Sequence, residues 1–285
     1  MDLKQILFED ALKGSAFVAV YIVLFCLAKI CKDILTSYNI NDELVKKDNV
    51  AVALTMSGYY LATSFIFVGA LIGPTVNFVT DLISVTIFSL LGLVFLNVSR
   101  WVTDKVILRK FCNVTELTKN NNIAVASVQF GTYIATGLIA AGAISGEGGG
   151  IISSLIFFVL GQAVLLIFSL IYNFLTPYCI HQELAKKNLA AGVAFSGSMI
   201  ALGIIILNGI AGNFLSWKQD IISFLLASGI AFIFLPIIRI IMDRIVVSGR
   251  NLSAEISEDK SVGAGFIEAS VAIRDRKSTR LNSSH

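Results

Sequence analysis

The sequence predicts an all-α fold, a polytopic transmembrane helical bundle, and three observations carry that prediction. Apolar residues make up 56 % of the chain and charged residues 14 %, against about 25 % charged in soluble domains. Mean hydropathy is +0.81. The apolar residues fall in runs of about 20 or more, enough to cross a hydrocarbon core of about 30 Å as helix. The runs pair and recur with a period of about 70 residues, which predicts four tandem two-helix repeats, seven complete helices and a truncated eighth.

Repeat unit 1 covers 10–73, with helices near 11–35 and 49–72. Its first run is too long for a cleavable signal and lacks a basic leader, so it is expected to serve as its own insertion signal. Repeat unit 2 covers 81–144, with helices near 82–102 and 122–143. Unit 3 covers 150–212, with helices near 151–175 and 189–211. Unit 4 covers 220–273; its first helix lies near 221–241, and the second begins near Ser261 and stops. Residues 274–285 are charged and polar without apolar period and read as a non-native tail. Setting this tail aside lowers Lys+Arg from 22 to 18 and Asp+Glu from 19 to 18, so the basic balance carries no nucleic-acid meaning.

The connection inside each unit carries Glu43, Glu116, Glu183 or Glu255, and the next helix opens with Asn49, Asn122, Asn188 or Ser261. Asparagine there is a good N-cap, because its side-chain oxygen accepts from a first-turn N–H. Glycine follows nine residues on, at Gly58, Gly131 and Gly197, with Ser270 in the fourth place. The first helices show an acid at the outer end, a base, and a second acid four residues beyond: Asp10, Lys29 and Asp33; Asp81, Arg100 and Asp104; Asp220, Arg239 and Asp243. In unit 3 the same spacing falls on Gly150, Ser169 and Asn173. Units 2 and 4 place Gln129 and Glu268 where units 1 and 3 have Met56 and Phe195, so a pair of units has been duplicated once.

Lys and Arg concentrate in the connections within units, whereas those between units hold only Lys218. Basic residues are retained on the cytoplasmic side, so the N-terminus is expected outside, with Lys4 and Lys13 weakly opposing. Copies of one orientation relate by rotation about the membrane normal, which fits inverted-repeat transporters poorly. Small residues such as Ala51, Ala53, Ser57 and Gly58, or Ala124, Ala126, Ser127, Gly131 and Ala135, mark the second helices as packing seams.

The pairs Lys29–Asp33, Arg100–Asp104 and Arg239–Asp243 each share a helix face and are expected to bridge. Anchoring explains them, since long basic side chains snorkel to the interface; the functional alternative is a basic ring favouring anions or lipid head groups. Glu268 is the sharper candidate, an acid about two turns into an apolar helix, with Gln129 as its pseudo-symmetric hydrogen-bonding counterpart. Cys179 and His181 flank Ile180 but read as loop residues, not half of a metal site, and no metal or other cofactor is expected. The Gly146–Gly150 stretch lacks the context of a phosphate cradle and reads as a flexible outer turn. No nucleophile, base and orienter set is present, so the chain is not expected to be an enzyme.

The run Glu43, Leu44, Lys46, Asn49, Ala51 and Ala53, and its copy Glu116, Leu117, Lys119, Asn122, Ala124 and Ala126, resembles the bacterial inner-membrane DUF350 family, found singly or in tandem. Gly263 to Ser270 looks like that family's glutamate-bearing helix, and the resemblance extends from Asp10 to Ile273. It implies a multi-pass protein of the bacterial inner membrane with a tie to envelope homeostasis, and brings no catalytic residues with it. The expected partners are the lipid bilayer, a second copy of the chain or cytoplasmic envelope-stress proteins. The leading expectation is a non-enzymatic scaffold or membrane-maintenance component; the rival is a channel or transporter moving an ion or proton past Glu268.

Overall fold

A computed structural model describes residues 3–73, 76–108, 112–146, 148–245 and 252–274, with the side chains of 3–10, 242–245 and 274 outside the description. In chain order the elements are α1 (Leu3–Leu35), a π-helical turn (Asp42–Lys46), α2 (Val50–Leu71), α3 (Phe78–Val106), α4 (Asn113–Thr118), α5 (Ile123–Ile144), α6 (Gly150–Leu175), α7 (Ile180–Ala185), α8 (Leu189–Ile210), α9 (Trp217–Ile245), α10 (Leu252–Ser257) and α11 (Val262–Arg274). Seven of them are long and apolar enough to cross a membrane. The short helices in the connections are additions to the sequence reading, which placed only polar loops there.

The helices divide into two groups by what covers them. The helices α2, α5, α8 and α11 stand side by side as a row. Every residue of α5 except Ile123 and Phe130 is buried, and 89 % of its apolar window is inside the protein against 11 % for α1. The helices α1, α3, α6 and α9 lie against the row and turn Val18, Ile22, Val94, Leu155, Leu225 and Ile233 outward. With no water to drive apolar surfaces together in a bilayer, the row is held by close van der Waals packing. Glycines provide it: a Cβ on Gly137 would stand 2.6 Å from the Ala62 Cα, and one on Gly203 2.7 Å from the Ala135 Cα. Both are backbone neighbours, which cannot swing aside.

One end of the row is tied by a recurring bracket. The Asn49 side chain accepts from the Val52 N–H and caps α2. Its Nδ2 donates to Glu43 Oε2 at 2.9 Å and to the Leu117 carbonyl at 2.9 Å. Asn122 repeats this, donating to Glu116 at 2.8 Å and the Leu184 carbonyl at 3.0 Å. Asn188 does so again, to Glu183 at 2.8 Å and the Ile256 carbonyl at 2.7 Å. Each asparagine therefore caps its own helix, holds its own connection and grips the next connection along the row. The residue before each opening position has a left-handed backbone: Asp48 (φ 47°), Asn121 (φ 43°), Lys187 (φ 57°) and Lys260 (φ 52°). Asparagine and aspartate tolerate that region; lysine rarely enters it.

Burial would push the Glu43 carboxyl up, but hydrogen bonds from Lys47 and Asn49 outweigh it and hold the group below its ordinary range. At Glu183 the burial effect is likewise overcome, here by Asn188 and Lys186. At the opposite end, Asp81 accepts from the Val76 N–H, and Asp220 accepts from the N–H groups of Leu215 and Ser216. The Asp81 and Asp220 acids thus brace the turns leading into α3 and α9. The Gly146 N–H donates to the Ile72 carbonyl, and Gly146, Gly148 and Gly150 all have positive φ. What the sequence suggested as a flexible turn is here tied to the end of α2.

Candidate functional site

The charged residues singled out by spacing do not all pair as the spacing suggested. Arg100 bridges Asp104 at 3.8 Å, and Asn113 Nδ2 donates to Asp104 at 2.7 Å. Lys29 and Asp33 are both exposed, and no bridge joins them. Facing outward, neither is desolvated, so a shared helix face alone gives them little reason to meet. The Asp243 side chain lies outside the described residues, as does the 275–285 tail. Arg239 instead bridges Glu268, joining α9 to α11. Glu268 and Gln129 occupy matching places in the two halves but are not bonded to each other.

Around Glu268 the structure assembles a buried polar cluster. The Tyr172 hydroxyl, on α6, donates to Glu268 Oε1 at 3.1 Å, and Arg239 also donates to the Tyr172 and Tyr178 hydroxyl oxygens. The guanidinium lies 5.0 Å from the Tyr172 ring centre, and that ring packs against Phe195 of α8 at 4.7 Å. Arg239 and Glu268 side chains are 10 % and 5 % exposed. Tyr178 lies in the connection after α6; burial pushes its hydroxyl up to about 12, with Arg239 opposing. An acid and a base buried together cost less than either alone, and removing one strands the other.

The first half builds a different cluster at the matching place. Lys32, near the end of α1, is 1 % exposed. Its ammonium donates to the Tyr133 hydroxyl on α5 and lies 5.0 Å and 4.6 Å from the ring centres of Tyr59 and Tyr133. The Tyr59 hydroxyl donates to the Ala28 carbonyl at 3.2 Å and accepts from Asn97 Nδ2 at 3.1 Å. Beside them is a cavity of about 10 Å³ lined by Arg100, Thr103, Asp104, Gln129, Thr132, Tyr133 and Thr136. Gln129 stands about 9 Å along α5 from Ile123, at 1.5 Å per residue.

Spacing pointed to Lys29 and passed over Lys32, which about a sixth of a turn round the helix points inward instead of outward. The signal that could have found it is comparative: Lys32 immediately precedes Asp33 as Tyr172 precedes Asn173, so the buried lysine and the buried tyrosine are counterparts. Their surroundings agree in register as well. Gly58 abuts Phe130, the residue after Gln129, and Gly197 abuts Ala269, the residue after Glu268. His181 Nε2 contacts the Ile107 carbonyl at 3.0 Å, and no metal-binding group of His, Cys, Asp and Glu occurs among the described residues. A second cavity, of about 260 Å³, opens at the other end between α5, α6, α8 and α9, with Ser153, Ser154, Asn208 and Asp220 in its wall.

The duplication seen in geometry is also seen in comparison with known proteins. The family described as Domain of Unknown Function (DUF350) matches twice, over residues 6–144 and 148–274. The chain belongs to the DUF350 family. Its two DUF350 copies divide at the α5–α6 turn, so α1, α2, α3 and α5 form one half and α6, α8, α9 and α11 the other. The chain is also similar to a UPF0719 transmembrane protein of Aquifex aeolicus (strain VF5), 24 % identical over 226 residues that cover 77 % of this chain and 81 % of the relative. No solved structure matches. With seven apolar helices of spanning length and a transmembrane relative, this DUF350 protein is a multi-pass transmembrane protein.

Proposed function

We propose that this DUF350 protein is a non-enzymatic scaffold of the bacterial inner membrane, with the bracketed connections on the cytoplasmic side and the N-terminus outside. The observation that supports it is the row of α2, α5, α8 and α11, joined backbone to backbone through Gly58, Gly69, Gly131, Gly137, Gly197 and Gly203. Helices that meet this closely leave no lumen in the seams between them. At one end the asparagine brackets set the connections in line, with Lys46, Lys47 and Lys186 reaching out at 73 %, 59 % and 59 % exposure. That row of basic side chains is where a second copy or a cytoplasmic envelope-stress protein would dock.

The test is site-directed photo-cross-linking in native membranes from Lys46, Lys119 and Lys186. A scaffold gives a discrete cross-linked species shared by the three positions and absent from an outward control at Ile152. Cross-links to lipid alone at all three would remove the partner from the account.

A second reading is favoured by one observation, the Arg239–Glu268 pair buried in a helix seam. Ionisable groups within spans often mark ion or proton paths, and a channel or transporter would use Glu268 as its relay. Arg239 and Tyr172 already engage the Glu268 carboxylate, which weighs toward an anchoring role.

A further inference from the structure

The four helices of the row meet one another in one repeated way. Each shows one face to the helix that follows it and a different face to the helix before it. Counted from the opening residue, Asn49, Asn122, Asn188 or Ser261, the positions two and nine residues on face forward, and those four and eight residues on face backward. At the first pair of positions Ala124 of α5 meets Gly192 of α8, and Ala190 of α8 meets Gly265 of α11. At the second, Gly58 of α2 meets Phe130 of α5, Gly131 of α5 meets Ser196 of α8, and Gly197 of α8 meets Ala269 of α11. A joint whose two sides differ does not close on itself, so the row ends in two different faces, each the complement of the other.

Both end faces are open. The backward positions of α2 are Ala53 and Ser57, the forward positions of α11 are Gly263 and Ser270, and all four residues are exposed. Their counterparts inside the row are buried, apart from the half-buried Phe130. The outer helices repeat the pattern at the joint between the two halves. There α6 packs against α3 and α5 of the first half, and Phe158 is 4 % exposed and stacked on Phe95. Val18 holds the matching place on α1, just as Lys32 matches Tyr172, and it is 57 % exposed. Among the described residues nothing stands to α1 and α2 as α3 and α5 stand to α6 and α8. The counterparts of α3 and α5 are α9 and α11, which only a second copy can bring to that place.

We infer that copies of this chain associate head to tail within the bilayer, α9 and α11 of one copy packing on α1 and α2 of the next, so that the joint between the two halves is repeated between chains. Ser270 then meets Ser57 of the neighbouring copy as Gly131 meets Ser196, and Gly263 meets Ala53 of that copy as Ala190 meets Gly265. Small residues at all four places permit the close approach on which helix association in lipid depends, and the two serine hydroxyls can hydrogen-bond across the joint. The asparagine bracket does not extend this far. Ser261 stands where Asn188 grips the next connection, and its hydroxyl oxygen accepts from the Ala264 N–H of its own helix. The joint between copies therefore rests on helix packing alone and is weaker than those inside the chain. It lies on the spans and not at the basic connections, so it holds or fails separately from any docking there.

The test is oxidative cross-linking in membranes that hold two differently tagged full-length chains, each with Cys26, Cys31, Cys112 and Cys179 replaced by serine. One chain carries Ser57→Cys and the other Ser270→Cys; both positions are exposed, so neither change disturbs the single chain. The expected result is a cross-linked pair bearing both tags, lost when Leu225→Cys on the outward side of α9 replaces Ser270→Cys. A chain carrying both cysteines is expected to give a ladder of multiples. Gly263→Leu, added to the Ser270→Cys chain, is expected to abolish the mixed product without lowering that chain's own stability, because a Cβ there meets only Ser261 Oγ, at 4.0 Å. Absence of the mixed pair, a mixed pair undiminished by Gly263→Leu, or cross-linking of Ser57→Cys to itself in preference to Ser270→Cys overturns the inference.

Discussion

Replacing Gly131 with alanine sets a methyl group 2.6 Å from the Ser196 Cα and 2.7 Å from its carbonyl oxygen, where ordinary contact begins at 3.4 Å. The helices α5 and α8 would have to part by about 0.8 Å to admit it, since neither neighbour is a movable side-chain end. α5 is also locked to α2 on its other side, at Gly69 and Gly137, so relieving one seam loads the other. Two effects of opposite sign compete. Glycine to alanine inside a helix stabilises by about 1 kcal/mol through propensity, whereas overpacking a filled site costs about 1–3 kcal/mol. The seam should win, with a net loss of up to about 2 kcal/mol.

Gly229→Ala is the internal control, because a Cβ there meets nothing within 4 Å; it should be neutral or mildly stabilising. The assay is equilibrium unfolding of the purified protein in mixed micelles by denaturing detergent, followed by far-ultraviolet circular dichroism. A Gly131→Ala protein as stable as Gly229→Ala would refute the reasoning, since it would mean that α5 and α8 do not meet at that distance.

Four further outcomes follow from the same contacts. Asn122→Ala should cost about 2–4 kcal/mol, combining a lost cap of about 1 kcal/mol with the stranded partners Glu116 and Leu184 O; the same unfolding assay reads it. Arg239→Met should cost about 3–5 kcal/mol by removing the buried bridge from Arg239 to Glu268, and adding Glu268→Leu should restore most of that loss. Glu43 and Glu183 are held below their ordinary range in the folded protein, so their contribution is present above the unfolded value and lost as pH falls through the folded one. Acid should therefore loosen the brackets below about pH 4.5, and a Glu43→Gln/Glu183→Gln protein should show a flatter acid limb in its unfolding midpoint. Cys112 is exposed in the connection after α3, so an impermeant maleimide should label it only after spheroplasts are opened; labelling of intact spheroplasts would reverse the proposed orientation.

The spans were legible because apolar length is a one-dimensional property: the predicted 122–143 run became Ile123–Ile144, and 189–211 became Leu189–Ile210. The capping role of Asn49, Asn122 and Asn188 was equally readable, since a cap acts on its own helix. Their grip on Leu117, Leu184 and Ile256 was not, because those carbonyls belong to the next connection and nothing local announces them. The candidate site divides in the same way. Glu268 stood out as an acid in an apolar helix, but its pairing with Arg239 depends on how α9 and α11 pack, and i,i+4 spacing suggested Asp243 instead. Lys32 was hidden by helix phase: three residues from Lys29, it turns from the lipid-facing side to the row, and a lysine near a helix end reads as a snorkelling anchor until its neighbours are seen.

The central claim is that a glycine-sealed row of helices serves as a scaffold and offers no path across the bilayer. Ion and proton flux through proteoliposomes tests it most directly, with wild type and Glu268→Gln compared at matched reconstitution under imposed chloride, potassium and proton gradients. The account predicts leak no greater than that of empty vesicles for both proteins. Flux in the wild type that disappears in Glu268→Gln would contradict it and make Glu268 the relay of a transport protein.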